Sequence, residues 1–346
     1  MTRRQVLAAA GSVAASIALP ARPEGKTRMG GTPTGFSLRA RAGRQSGKPF
    51  DILEHCHNLG LGGVETALPA TTPDAVKAFR TKAEGYSLPV ILNTPLPRGE
   101  ADVAAFDTRV SACKEAGAVA LHAALTGRRY EDLDSFDAFK QSFEQNQKTV
   151  ALAEPVLRKH KMRLAIENHK GWRAGEQAAW MKRVSSEWVG VCLDFGNNVS
   201  LCEDPAETLR MLAPFTIFCH IKDMGVEMYE DGFLLSEVPF GEGIVNLKQT
   251  VQTLRQKDPN MLFCLEMITR DPLKIPVFTS KYWATFDDTY SPLPGRDLAR
   301  VLDIVRKNPP KKPLPRISGL GPEAQVRDED DYNLQCINYA RQNLEL

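Results

Sequence analysis

Four residues carry the strongest chemical signal in this sequence. Glu167 closes the run Leu-Ala-Ile, and Asp194 closes Val-Gly-Val-Cys-Leu. His220 closes Ile-Phe-Cys, and Glu266 closes Phe-Cys-Leu. A carboxylate at the end of an apolar run is costly if it enters a packed core. It is well placed if it meets a cation. Three carboxylates and one imidazole make a mostly oxygen donor set. Such a set suits Mn²⁺ first, with Mg²⁺ or Co²⁺ close behind and Zn²⁺ accommodated through the histidine. Other polar residues end or follow neighbouring apolar runs. His169 and Lys222 are candidate catalytic groups, and His122, Asn93, Asn197 and Trp283 are candidate substrate contacts. Glu65 and Arg39 close earlier runs and are weaker candidates for the same mouth.

These residues need a scaffold that brings successive strand ends together. Short β-rich runs occur at Gly35–Leu38, Gly63–Leu68, Pro89–Asn93, Ala118–His122, Arg163–Asn168, Val189–Asp194, Ile217–Lys222 and Met261–Met267. Amphipathic stretches lie between them, at Pro49–Leu59, Pro73–Glu84, Ala101–Ala116, Ser135–Lys159, Glu176–Val184, Asp204–Leu212 and Leu247–Gln256, with an eighth at Gly295–Arg306. This alternation predicts an α/β fold, a (β/α)₈ TIM barrel with its chemistry at the C-terminal ends of the strands. No Gly-x-Gly-x-x-Gly follows the first strand candidate, which removes the main support for a dinucleotide-binding sheet.

The chain divides into a signal peptide over 1–21, a linker over 22–33, a barrel over 34–308 and a C-terminal strap with a helix over 309–346. Arg3-Arg4 ahead of an Ala-rich apolar run resembles a twin-arginine export signal, and predicts a periplasmic or otherwise exported protein. That run is too short to span a bilayer, so no stable membrane association is expected after cleavage. A net charge of +2 gives no global field for nucleic acid. The partner is expected to be a small-molecule sugar, and a homo-oligomer is compatible with the sequence. Seven cysteines without a Cys-x-x-Cys pair argue against a structural zinc site or a full disulfide framework. Residues 224–243 read as a hairpin around Glu-Asp-Gly, and 270–294 as an aromatic loop. Both are expected to act as lids.

The runs Ala-Ile-Glu-Asn-His, Gly-Val-Cys-Leu-Asp-Phe-Gly-Asn, Cys-His-Ile-Lys-Asp and Phe-Gly-Glu-Gly-Ile-Val-Asn resemble the xylose isomerase-like superfamily over about residues 35–270. The resemblance implies a metal-dependent isomerase or epimerase that acts beside a sugar carbonyl through an enediolate. It makes Glu167 and Glu266 bases on opposite faces of the substrate. The sequence departs from the epimerase pattern in two places. Asn197 stands where a His is expected, and Val226 where an Arg is expected. A lyase or decarboxylase acting on an oxidised sugar or 3-keto-glycoside is therefore the alternative. A non-catalytic periplasmic sugar-binding protein with a structural metal is the second alternative. Endonuclease chemistry of the related fold needs more histidines than the six present.

Overall fold

The computed structural model describes residues 27–346, so the stretch read as an export signal lies outside the described residues. Eight parallel strands close into a barrel. They are β1 (Met29–Gly31), β2 (Val64–Ala67), β3 (Val90–Asn93), β4 (Ala118–Ala123), β5 (Leu164–Glu167), β6 (Val189–Asp194), β7 (Thr216–Ile221) and, after two further strands, β10 (Phe263–Leu265). The circle runs β1-β10-β7-β6-β5-β4-β3-β2. Between β7 and β10 stand β8 (Asp223–Tyr229) and β9 (Gly232–Val238), the expected hairpin. It pairs antiparallel with β11 (Leu273–Ile275) from the loop after β10. The two insertions thus form one three-stranded sheet.

The first strand is a correction. It lies at Met29–Gly31, inside the stretch read as linker, whereas Gly35–Leu38 forms a turn leading into the helix Ser37–Gln45. A Met-Gly-Gly strand carries no β-propensity signal. Its glycines are there because its neighbours crowd it. A Cβ on Gly31 would stand 2.6 Å from the Phe36 ring and 2.8 Å from Cys56 Sγ. The expected C-terminal helix runs Pro322–Tyr339, with a π-turn over Ala340–Leu344. It closes the barrel where the first strand hands over to its helix. Glu329 accepts hydrogen bonds from the amides of Leu38 (2.7 Å) and Arg39 (2.8 Å), and Asn333 donates to the Gly35 carbonyl (2.8 Å). Arg39 pairs with Asp330 on the same helix, which takes it away from the barrel mouth.

Strand period decides what faces inward. Alternate residues point to opposite faces. Ile91, Ala120, Ala165, Cys192, Phe218 and Cys264 pack together as one apolar layer inside the barrel. Val191, Leu193, Ile166, Leu121 and Leu265 belong instead to the larger core between strands and helices. Two residues further along each inward row come Asn93, His122, Glu167, Asp194, His220 and Glu266. Glu65 on β2 is in register with Ile91, and its carboxylate reaches the same polar layer, 2.5 Å from His220 Nε2 and 3.3 Å from His122 Nδ1. The polar layer therefore sits directly on a floor of small and apolar side chains. All seven cysteines are buried and free, in line with a filling role.

Candidate metal centre

The four strand-end residues converge. One donor atom each from Glu167, Asp194 and His220 lies within 4.8 Å of the others. That span suits donors sharing one ion, since two bonds of about 2.0–2.2 Å across a metal reach roughly 4.4 Å. Glu266 stands at the edge of this group, with Oε1 3.6 Å from His220 Nδ1. It accepts from Thr34 Oγ1 at 2.9 Å and from Lys222 Nζ at 2.7 Å. All four side chains are buried.

Neighbouring groups hold each donor in place. The Asn168 side chain clamps the Asp194 backbone, accepting from its amide at 2.5 Å and donating to its carbonyl at 3.0 Å. Glu65 holds His220 through Nε2 at 2.5 Å, which leaves Nδ1 to face Glu266. This is the orienting contact that a ligating histidine needs. His122 bonds Asn93 Oδ1 through Nδ1 at 2.9 Å, and its Nε2 lies 3.3 Å from Glu167 Oε2. Asn197 Nδ2 donates to Asp194 and lies 3.3 Å from Glu167 Oε1. Asn197 thus positions two carboxylates, with its own amide occupied. Lys222 is bound to Asp194 at 2.8 Å and to Glu266 at 2.7 Å, so it neutralises carboxylates.

Two of the sequence candidates make their main contacts elsewhere. The contacts of Trp283 are with Tyr282, Phe286 and, through Nε1, the Val277 carbonyl at 2.9 Å, and the polar layer is not among them. His169 turns its Nδ1 to the Gly127 carbonyl at 3.1 Å. It stays close enough for the Glu167 charge to act on it, but its geometry is that of a loop tie.

The donor set fits a divalent cation on two counts. Asp194 Oδ1 and His220 Nδ1 are buried and lack a hydrogen-bond partner. Buried polar atoms without partners are rare and call for an explanation. Charge gives the second count. Glu65, Glu167, Asp194, Glu237 and Glu266 are buried carboxylates, opposed by Lys170, Lys222 and the partly exposed Arg270. Two negative charges are left over when the histidines are neutral; a divalent ion offsets them, and without it protons on His122 and His220 do so. Without the ion, burial and the neighbouring Glu266 and Glu167 push the Asp194 carboxyl well up despite Lys222. Burial disfavours the His220 and His122 cations, yet nearby anionic groups, Glu65 above all the carboxylates, hold both well above the ordinary imidazole range. Burial also raises Glu167, but the His122 hydrogen bond and the His169 and His220 charges bring it down to about 2.

Relatives share this architecture. A D-psicose 3-epimerase solved in the presence of D-fructose superposes with a TM-score of 0.56 at 15% identity, over 92% of this chain and 99% of that one. A xylose isomerase-like TIM barrel protein from Mycobacterium smegmatis in complex with magnesium gives 0.52 at 17% identity, over 82% and 97%. A 3-oxo-isoapionate decarboxylase from Pectobacterium atrosepticum is 28% identical over 109 residues, 31% of this chain and 40% of that protein. The chain thus matches about two-fifths of that relative's length. The family model for the xylose isomerase-like TIM barrel matches residues 53–283. That match covers most of the barrel and every strand-end donor described above, and the chain belongs to the xylose isomerase-like TIM barrel family.

Proposed function

We propose that the protein is a divalent-metal-dependent enzyme that acts at the α-carbon of a keto-sugar or sugar derivative, through an enediolate. The observation that carries this reading is the pair of partnerless atoms, Asp194 Oδ1 and His220 Nδ1, beside Glu167 in a buried layer at the barrel mouth. Glu167, Asp194 and His220 hold the ion, with Glu266 completing the set. Glu167, Asp194, His220 and Glu266 would place a bound cation where it could supply Lewis-acid chemistry to a substrate carbonyl. Mn²⁺ is the expected ion, from the oxygen-rich donor set.

The protein's own groups handle the proton. Glu167 is ionised at neutral pH and accepts the α-proton on Oε1 or Oε2, which His122 and Asn197 hold in orientation from 3.3 Å. Positioned bases of this kind contribute about 10²–10⁴-fold in rate. Glu266 is not equivalent. Lys222 grips one of its oxygens and Thr34 the other. Burial opposes its charge, yet Lys222 and His220 hold it well below the usual carboxylate range. Glu167 is also held low, at about 2, but its contacts are longer, at 3.3 Å, so Glu266, with bonds of 2.7 and 2.9 Å, one of them to an ammonium, is the more tightly gripped of the two bases.

That asymmetry favours a second reading over free-ketose epimerisation, which needs a base on each face. One-sided chemistry, β-elimination or decarboxylation of an oxidised sugar, needs only one base or none. Asn197 in place of an expected His supports this reading, as does the partial likeness to a 3-oxo-isoapionate decarboxylase. Export through a twin-arginine-type signal is proposed with it, because that route carries folded, metal-loaded proteins.

The test is incubation of Mn²⁺-loaded protein in D₂O with ketoses, inososes and 3-keto-glycosides, followed by NMR. Deuterium at an α-carbon, or release of an aglycone, is the expected result. Loss of CO₂ from a keto-sugar acid added to the panel, with deuterium only at the carbon that carried the carboxylate, excludes isomerase and β-eliminating lyase together and leaves decarboxylation. Ligand binding without any turnover across the panel would assign the protein to sugar binding.

A further inference from the structure

Two lysines are buried at the barrel mouth, and only one of them is neutralised. Lys222 sits between two carboxylates at 2.7 and 2.8 Å, with Glu237 Oε1 at 3.8 Å. Lys170 is 2% exposed. Its one side-chain hydrogen bond goes to a neutral acceptor, Asn197 Oδ1, at 2.5 Å. An ammonium has three donors, so two are left unused. Among the described residues no carboxylate pairs with it. Arg270 is no substitute as an open cation, because Glu237 takes it in a two-bond pair at 2.6 and 3.1 Å. A buried charge without a partner is among the most expensive features a fold can carry.

The chain holds Lys170 in this position firmly. It lies three residues after Glu167, and its carbonyl accepts from the Arg129 amide at 3.0 Å. Asn197 links it to the centre, since the amide that receives Lys170 also donates to Asp194 and faces Glu167. Burial and the nearby Lys222 lower its pKa to about 8, which leaves it mostly charged at neutral pH.

We propose that Lys170 is the recognition residue for a carboxylate on the substrate, so that the site takes a keto-sugar acid in preference to a neutral ketose. This rests on the enediolate reading above and narrows its substrate class. The substrate anion supplies the counter-charge that the fold withholds, and Lys222 and Arg270, already paired, do not compete for it.

The test compares 5-keto-D-gluconate, its methyl ester and D-fructose by calorimetric titration of the Mn²⁺-loaded full-length protein. The wild type is expected to bind the acid about 10–100-fold more tightly than the ester, the range of a charge-assisted hydrogen bond. Lys170→Met is expected to erase that difference while leaving Mn²⁺ stoichiometry and D-fructose binding unchanged. Equal affinity of the wild type for acid and ester overturns the proposal, and this comparison needs no variant to fold. A Lys170→Met protein that loses D-fructose binding as strongly as acid binding overturns it too, because the lysine would then merely support Asn197. α-Deuterium exchange on D-fructose reports the enediolate reading independently of either result.

Discussion

Two buried charge clusters in this protein look alike in composition and differ in completeness. Around Arg129, the guanidinium lies between the rings of Phe139 (3.5 Å) and Phe286 (4.1 Å). It donates to Thr285 Oγ1 at 2.9 Å and Ser291 Oγ at 2.7 Å, to the Thr285 carbonyl, and to both oxygens of Glu176 at 3.3 Å. Ser291 in turn bonds Glu176. The loop after β10 is thereby fastened to the helix Ala174–Val184. At the barrel mouth the charges are as deeply buried, but Asp194 Oδ1 and His220 Nδ1 have no partner, and Lys170 has only a neutral one. A charge cluster whose partners are all present holds structure together. One whose partners are missing is arranged for something that binds.

The sharpest way to break this contrast is at the mouth. Asp194→Asn combined with His220→Ala is expected to abolish stoichiometric Mn²⁺ binding and turnover. The single change Asp194→Asn keeps the shape and leaves Lys222 paired with Glu266, so the ion-free protein should lose less than the ~3–5 kcal/mol of breaking a buried pair outright. A large loss of stability there would move this cluster into the structural class. Next in size, Glu167→Gln should retain part of the metal, because the amide still offers an oxygen, and lose α-deuterium exchange by about 10²–10⁴-fold. If exchange persists, another group is the base, and His169 is the nearest alternative.

The Arg129 cluster should answer in the opposite sense. Arg129→Met removes one member of a buried pair and is expected to cost about 3–5 kcal/mol of stability, seen in denaturant unfolding, with Mn²⁺ stoichiometry unchanged. A smaller structural effect is expected at the C-terminal helix. Glu329→Ala leaves the Leu38 and Arg39 amides without their acceptor and should cost about 1–3 kcal/mol. Trp283→Ala comes last in its effect on metal affinity, which should stay the same, since the ring packs on Tyr282 and Phe286. A strong loss of turnover there would restore the expectation that this loop closes over substrate.

Sequence alone marks the proposed ligands because strand period two and an apolar run together mark an inward strand end. Glu167, Asp194, His220 and Glu266 each satisfy both conditions. The seven longer helices between Pro73 and Lys307 were legible within a few residues from their apolar period of 3.6, whereas the short helices Arg129–Asp132 and Ser280–Trp283 were not. What stayed hidden depends on partners far away in the chain. The β1 strand is written in glycines because Phe36, Cys56 and Gly63 crowd it, a packing fact with no local signature. Glu65 ends an apolar run, but its bond to His220 joins residues 155 positions apart. Lys170 and Arg129 lie in polar stretches, Asn-His-Lys-Gly and Gly-Arg-Arg-Tyr-Glu, where a lysine or arginine normally faces water. Only the closed barrel places one beside the buried polar layer and the other beneath a loop.

The central claim is that the partnerless atoms at the mouth are donors to one divalent ion. The most direct measurement is anomalous scattering at the manganese edge from crystals grown with Mn²⁺. One peak per chain is expected, within bonding distance of Glu167, Asp194 and His220 and with Glu266 alongside. A peak elsewhere with this layer empty, or full Mn²⁺ occupancy surviving in the Asp194→Asn/His220→Ala protein, would contradict the account.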